Sequence, residues 1–394
     1  MSNFNMEKDV VIIGAGPIGL YAGKLLSKEG LDVLILEEDQ EIGIPVQCAG
    51  LVGEEVFERF SLSRKSILRK IDKIKVYSPS KKSFNADLKP NAYVIDRKIF
   101  DKELGKDYVR SGGELSLKTR CYNVEVEKDF VKIIARRMDE KFEIKSEIAM
   151  ICEGSRSELA NRLGFPRIKE YISGLQYEVP SEIEDVEVYI GKKIAPEFFA
   201  WCIPSYEGIA RIGLCARETP KKYLDSLLNS DLLRNRIKTS YFEVNAGLIP
   251  LEPRKKTYGD RIILVGDTAG QVKPTTGGGI YYGMLCAECA YETVKESFEM
   301  KEFSENNLKR YQKRWEKEIG WEIKAGRIFR KMYRKLDDEK IDALLELLES
   351  DEIQKIIKEE SHFDRHGKLI FCLLRSPEVI KIIGKAGLEI FLSD

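Results

Sequence analysis

Residues 10–13, Val-Val-Ile-Ile, are a continuous apolar run of the kind found in a strand buried on both faces. A glycine-rich turn follows at 14–19, then residues 20–27 with apolar positions at helical spacing, then a second apolar run at 33–36. Strand, turn, helix and strand predict a βαβ unit. From 71 to 88 the pattern changes to short alternating segments, IDKIKVYS and SFNADL, which predict strands with one polar face. Phe100, Leu104 and Tyr108 recur every four residues and predict a helix beginning near Arg97. Strand patterns resume at 122–127, 131–135 and 148–152.

Residues 166–254 add the strand-like pieces VEVYIG, FFAWCIP and ARIGLC, with little helical spacing before Lys221. Another buried run at 262–265 leads into PTTGGGI and a helix, and beyond residue 303 almost everything reads as helix. No internal repeat or Gly/Ser linker separates these parts, so any domains are interleaved. The order predicts an α/β fold: a Rossmann-like dinucleotide domain (1–70, 95–165 and 255–302), an inserted antiparallel-sheet domain (71–94 and 166–254) and a helical C-terminal region (303–394).

Gly14-Ala-Gly16-Pro17-Ile-Gly19 matches G-x-G-x-x-G between strand and helix. Gly14 permits the tight turn, Gly16 lets backbone approach a pyrophosphate, Gly19 allows close helix packing, and the helix N-terminus supplies N–H donors. Glu37, with Glu38 beside it, ends the second strand where a carboxylate is expected to accept hydrogen bonds from a ribose. A second half of the site lies far along the chain. Asp267 follows the run at 262–265, and Gly277, Gly278 and Gly279 open a helix at Ile280 that presents N–H groups to a carbonyl or anionic ring edge. A second, distant acid suits the ribityl chain of FAD, which NAD lacks.

With these segments in place, the chain resembles the flavoprotein group that contains aromatic hydroxylases and geranylgeranyl reductases. The resemblance is carried by GAGPIGLYAGKLLSKEGLDVLILEED, by Arg97 in YVIDRKIFDKEL, by CEGSRSELANRLG and by LVGDTAGQVKPTTGGGI. It implies that Arg97 reaches the FAD phosphates or the flavin-side backbone, and that Gly154 lies near the pyrophosphate. Glu153 stands where the group has Asp, and Arg156 is left a structural or phosphate contact. Two further segments resemble the reductases in particular. EIGIPVQCAG is similar to their loop with a cysteine close to the flavin, here Cys48 followed by Ala49 and Gly50. APEFFAWCIP is similar to their P-x-x-Y-x-W-x-F-P signature: Pro196, Trp201 and Pro204 match it, Phe199 replaces its Tyr, and Ile203 its Phe. The resemblance implies that Phe199, Trp201, Ile203 and Pro204 line an isoprenoid channel.

The implied activity is reduction of isolated carbon-carbon double bonds in geranylgeranyl chains, of archaeal ether lipids or a related isoprenoid. Hydride comes from reduced flavin, with an electron-rich wall of Trp201 and Phe199 and with Cys48 positioning substrate or joining the proton path. A flavin monooxygenase acting on a small aromatic or apolar substrate, and a flavoprotein that carries electrons or binds lipid without turnover, are the alternatives. One G-x-G-x-x-G leaves no separate nicotinamide domain, so electrons are expected from transiently docked NAD(P)H or from a protein donor such as ferredoxin.

Composition narrows the partners. Lys+Arg 65 against Asp+Glu 65 gives zero formal charge over 394 residues, without the basic excess of a nucleic-acid binder. No run approaches 18 apolar residues, and residues 1–9 lack signal-peptide anatomy, so a cytoplasmic protein is expected, with contact at a membrane surface as an option for a lipid-acting enzyme. Of the 8 Cys, Cys286 and Cys289 read as buried helix positions. His362 and His366, the only histidines, read as a solvated helix end or loop and not as a metal site, which leaves proton handling to flavin, water, thiol or carboxylate. The apolar stretch 369–374 reads as a helix packed on the body, with membrane contact as the alternative.

Overall fold

The computed structural model describes residues 6–238 and 240–384; the expected ends of the first and last regions, 1–5 and 385–394, lie outside these. The N-terminal third runs β1 (Met6–Ile13), α1 (Pro17–Lys28), β2 (Val33–Leu36), β3 (Leu51–Gly53), α2 (Glu55–Arg59), β4 (Ile67–Tyr77), β5 (Ser83–Ile95) and α3 (Arg97–Arg110). Next come β6 (Glu114–Ser116), β7 (Thr119–Val126), β8 (Val131–Arg137), β9 (Glu140–Ile151), α4 (Glu158–Arg162), β10 (Tyr171–Pro180), β11 (Glu187–Ile190), β12 (Phe199–Pro204) and β13 (Ile209–Ala216). The chain continues through α5 (Pro220–Leu228), β14 (Glu243–Pro250), β15 (Tyr258–Gly259), β16 (Ile262–Leu264), α6 (Ile280–Met300), α7 (Glu305–Tyr333), α8 (Asp338–Glu346), α9 (Asp351–Glu360) and α10 (Gly367–Leu373).

Two sheets organise these elements. The first has the order β15-β16-β9-β1-β2-β6, with β8 also pairing β9 and β7 pairing β8. β1 is parallel to both β2 and β9, so its carboxyl end, followed by the glycine turn, lies at the centre of the sheet. Alternate residues of the central strands supply two cores. Val10, Ile12, Ile148 and Met150 pack with Leu20, Phe100, Leu285 and Trp315 from the helices, whereas Val11, Ile13, Ala149 and Ile151 pack with Val131, Ile133 and Ala135 of the β7–β8 ribbon. Both faces are therefore covered, which explains the unbroken apolar runs that mark these strands in the sequence.

The second sheet has the order β14-β10-β13-β12-β11-β4-β5-β3 and is antiparallel except where β11 meets β4. It takes in β3 and the start of β4, outside the 71–94 segment expected from the sequence. One face buries Tyr177, Ala200, Cys202, Ile212 and Leu214 against Leu224 and Leu227 of α5. The opposite face, with Phe199, Trp201 and Ile203, lines a cavity. In the helical tail α7 runs alongside α6, and its end joins α8, α9 and α10 in a separate core around Ile328, Met332, Ile353 and Ile370.

Candidate active site

The turn after β1 is built by close approach of backbones. Gly14 has φ +107°, and a Cβ there would stand 2.4 Å from the Cys152 carbonyl oxygen on the neighbouring strand; a Cβ on Gly19 would stand 2.1 Å from the Gly14 oxygen. At Gly16 nothing lies within 4 Å of the added atom, and Gly16, Pro17 and Gly19 line the cavity. Gly14 is the hinge beneath. The Glu37 carboxylate accepts from the Ala15 N–H at 2.7 Å and the Asp39 N–H at 2.9 Å, which fixes it beside the turn. Burial raises its pKa and the two N–H donors oppose that. Glu38 diverges from this arrangement, because its half-exposed side chain pairs with Arg120 at 3.5 Å.

Across the groove, Asp267 lies at the cavity wall with no protein donor to its carboxylate among the described residues. Burial pushes its pKa up to about 6, with Arg97 pulling it down. A Cβ on Gly279 would come within 2.6 Å of the Asp267 carboxylate, so glycine is what lets the α6 N-terminus sit there. Gly278, Gly279 and Ile280 line the same wall. Gly154 does so too, with φ +75° and open space around its missing side chain. Glu153 turns away and accepts from the Leu159 and Ala160 N–H groups at 2.9 and 2.8 Å, capping α4. Arg156 is exposed, with Asp39 among the charges it faces.

Arg97 opens α3 and lines the cavity, where its guanidinium makes a two-point contact with Asp101, 3.1 and 2.8 Å, one helical turn along. The guanidinium also lies beside the Cys48 thiol. The Cys48 sulfur accepts from the Gly50 N–H at 3.3 Å. Two buried residues that the sequence did not single out hold this loop. Gln176 Nε2 donates to the Cys48 carbonyl at 3.4 Å, and Arg211 donates to the carbonyls of Ala49 and Ile95 at 3.1 and 2.9 Å while paired with Glu178 at 2.7 Å. A polar residue in an otherwise apolar strand, Gln176 in YISGLQYEV or Arg211 in IARIGL, was the available signal.

Cys48 stands where the groove becomes a chamber, and one continuous cavity of about 720 Å³ includes both. Trp201 lies over Gly213, where a Cβ would stand 2.6 Å from the indole, and its N–H donates to Gln176 Oε1 at 2.9 Å. Phe199 meets Trp201 edge-on at 6.0 Å. Ile203 completes the row. Pro204 does not line the cavity: residues 199, 201 and 203 share one face of β12, and Pro204 falls with Ala200 and Cys202 on the other, as strand alternation requires.

The histidines correct the sequence reading. Both lie in a loop, between α9 and α10, as one of the two expectations has it, but they line the cavity and do not simply face solvent. His362 Nε2 bonds Glu55 at 2.8 Å, and its Nδ1 accepts from the Asp364 and Arg365 N–H groups. His366 Nε2 donates to the Phe363 carbonyl at 2.9 Å, leaving Nδ1 to accept from Thr275 at 2.6 Å. Burial, then Lys273, lowers its pKa to about 4, so it is neutral at pH 7. The apolar stretch at 369–374 covers the last part of α10 and one further residue, and Leu369 and Leu373 line the chamber. No cluster of three or more metal-ligating side chains occurs among the described residues, and no helix among them is long and apolar enough to cross a membrane.

Residues 7–175 match the FAD binding domain family. The parallel sheet, the glycine turn with its acid, and an open-faced Asp267 with room for a ribityl chain fit that cofactor, and the class is an FAD-dependent oxidoreductase. The fold is shared with a geranylgeranyl bacteriochlorophyll reductase-like protein from Thermoplasma acidophilum (TM-score 0.84, 23% identity, 96% of this chain and 98% of that one). It is shared also with p-nitrophenol 4-monooxygenase from Pseudomonas putida (TM-score 0.74, 16% identity, 90% and 96%). In sequence, the chain is 35% identical over 364 residues to digeranylgeranylglycerophospholipid reductase of Methanocaldococcus jannaschii, covering 88% of this chain and 92% of that protein. It is 32% identical to digeranylgeranylglycerophospholipid reductase 2 of Methanopyrus kandleri, over 95% and 98%. The chain belongs to the digeranylgeranylglycerophospholipid reductase family.

Proposed function

We propose that this chain saturates carbon-carbon double bonds of geranylgeranyl chains carried by a membrane ether lipid. The observation that carries the reading is the continuity of one cavity from the glycine-lined groove to a chamber walled by Phe199, Trp201, Ile203, Leu369 and Leu373. Each methylene buried there contributes about 0.8 kcal/mol, so a polyprenyl chain is the ligand such a wall favours.

Gly14, Gly16, Pro17 and Gly19 with Glu37 would hold the adenosine and pyrophosphate of FAD, Gly154 and Asp267 the middle of the molecule, and Gly278 to Ile280 the ring edge. Reduced FAD supplies the hydride. The protein's part is orientation and charge. Trp201 and Phe199 offer π faces to positive charge that builds on an unactivated alkene. Cys48 lies beside Arg97, accepts the Gly50 N–H at its sulfur and lines the cavity at the junction with the chamber. Both histidines have their ring nitrogens engaged by protein groups, which leaves the thiol as the proton-bearing side chain best placed to meet the second alkene carbon.

As electron source we infer transiently docked NAD(P)H or a ferredoxin-type protein, and turnover with each, under anaerobic conditions, separates them. Contact with a membrane surface is supported by Leu248, which is exposed yet lines the cavity, beside exposed Val244, Phe242 and Tyr241. Flotation with lipid vesicles reads it out.

The test is direct. Flavoprotein reduced with dithionite without oxygen and mixed with a geranylgeranyl lipid is expected to reoxidise as saturated lipid forms. Oxygen-dependent hydroxylation in place of saturation would overturn the reading in favour of a monooxygenase. Cys48→Ala and Cys48→Ser are expected to keep FAD and lose turnover; normal turnover in both would remove Cys48 from the chemistry.

A further inference from the structure

Lys273 is a charged residue that the chemistry above leaves unused, and it is only 5% exposed. Its ammonium donates to Asp364 at 2.7 Å and to the Phe363 carbonyl at 3.2 Å, and it lies 4.9 Å from the centre of the Phe363 ring. An ammonium has three N–H donors, and the third meets no protein acceptor among the described residues. The side chain runs along the glycine turn, since a Cβ on Gly278 would stand 2.6 Å from Cε and 3.2 Å from Nζ. Backbone bonds between Lys273 N and Gly278 O, and between Gly277 N and Lys273 O, close this loop on itself. Lys273, the three glycines, Phe363 and His366 all line the cavity.

Asp364 comes from the helical tail and is 2% exposed. Its second oxygen has no hydrogen-bond partner and rests against Gly53, where a Cβ would be 2.1 Å away. A buried pair of this kind carries a desolvation penalty that its mutual attraction need not exceed, so stability alone is a poor reason for it. Its neighbours are accounted for. His366 is neutral, His362 is engaged by Glu55, and Arg97 is matched by Asp101.

We propose that Lys273 sets the charge at the ring end of the FAD site, its ammonium opposing the negative charge that reduction places on the ring edge beside Gly277, Gly278 and Gly279, while Asp364 holds and partly offsets it. The inference rests on the FAD reading of the groove. The N-terminus of α6 supplies roughly half a positive charge there. Lys273 adds a whole one, in surroundings where charges act more strongly than in water. Removing the ammonium therefore disfavours the reduced cofactor, and removing the carboxylate favours it.

The experiment uses the FAD-loaded proteins and measures the midpoint potential of the bound flavin anaerobically at one pH. Lys273→Met is expected to shift the two-electron equilibrium about tenfold toward oxidised flavin, a fall of about 30 mV. Asp364→Asn is expected to shift it the opposite way, and Lys273→Arg to stay near wild type. A merely structural role moves both variants in one direction or neither, and either result would overturn the assignment. Should Lys273→Met retain no FAD, Asp364→Asn decides alone: an unchanged or lowered potential rejects the proposal. Wild-type protein that binds no FAD would overturn the groove reading itself, and this inference with it.

Discussion

The groove and the chamber share one cavity but are made in different ways. The groove is backbone: glycines at 14, 19, 154 and 277–279 let main chain approach where a side chain would intrude or strain, Gly16 leaves the space before it open, and Asp267 adds a carboxylate at the wall. The chamber is side-chain volume gathered from the Cys48 loop, β4, β5, β11, β12 and the tail from Leu348 to Leu373. Backbone geometry admits few substitutions at a given position, whereas a volume can be filled by many apolar residues. That difference explains why every glycine of the turn matches its motif while the signature strand of the chamber carries Phe199 for Tyr and Ile203 for Phe.

If the contrast holds, damage to the groove removes the cofactor and damage to the chamber spares it. The largest effect is expected from Gly14→Val, whose Cβ meets the Cys152 carbonyl: purified protein should carry no FAD, and retention of wild-type flavin absorbance would break the comparison at its base. Next is Arg211→Met, which leaves Glu178 buried without its partner and frees the Ala49 carbonyl. A loss of about 3–5 kcal/mol in denaturant unfolding is expected. Trp201→Leu should keep full FAD occupancy and lower kcat/KM for the prenyl lipid ten- to a hundredfold, about 1.4–2.8 kcal/mol. A flavin-free Trp201→Leu protein would show the two regions to be one folding unit.

The same contrast decides what was legible in the sequence. The βαβ start, the acid Glu37 held beside its turn, the distant Asp267 and the glycine-opened α6 are each encoded within a few residues, so local pattern sufficed to place them. Glu38 was carried along by adjacency, yet its side chain pairs with Arg120. Pro204 belonged to a matching signature but fell on the wrong face of an alternating strand. His362 and His366 were misread as solvated because nothing near them in sequence reveals that their loop packs against Glu55 and Thr275, 307 and 91 residues away. Gln176 and Arg211 were visible as polar residues in apolar strands, but their partners at Cys48 and Ala49 exist only in the fold.

A smaller effect comes from Asp267, whose carboxyl is raised to about 6 by burial in the cofactor-free protein. The folded state then holds a proton that the unfolded chain, with an ordinary carboxyl near 3.9, has released. Stability from this group is present below about pH 4, declines as pH rises toward 6, and is flat above. At one pKa unit per 1.36 kcal/mol the decline amounts to about 1–3 kcal/mol. Asp267→Asn should remove that portion of the pH dependence from the cofactor-free protein and make it more stable than wild type at pH 7.5, while weakening its affinity for FAD. Identical pH profiles for the two proteins would mean that the carboxylate is solvated rather than waiting for a ribityl chain.

The smallest expected effect probes the chamber's outer wall. Asp342 on α8 accepts from the Ser80 N–H at 3.1 Å and the Ser80 hydroxyl at 2.8 Å, joining the tail to the tip of the β4–β5 hairpin, and Lys82 pairs with Glu346 close by. These are exposed contacts, and exposed pairs typically contribute only about 0–1 kcal/mol. Asp342→Ala should therefore lower unfolding free energy by about 1 kcal/mol or less and leave FAD affinity unchanged, because no groove residue touches this joint. Leu348, which closes the chamber just beyond α8, depends on how the tail seats. KM for the prenyl lipid should consequently rise a fewfold while kcat, set at the flavin end, stays constant. A change confined to kcat would place the tail's influence at the groove, through the Lys273–Asp364 contact, and would make the two regions less separable than their construction implies.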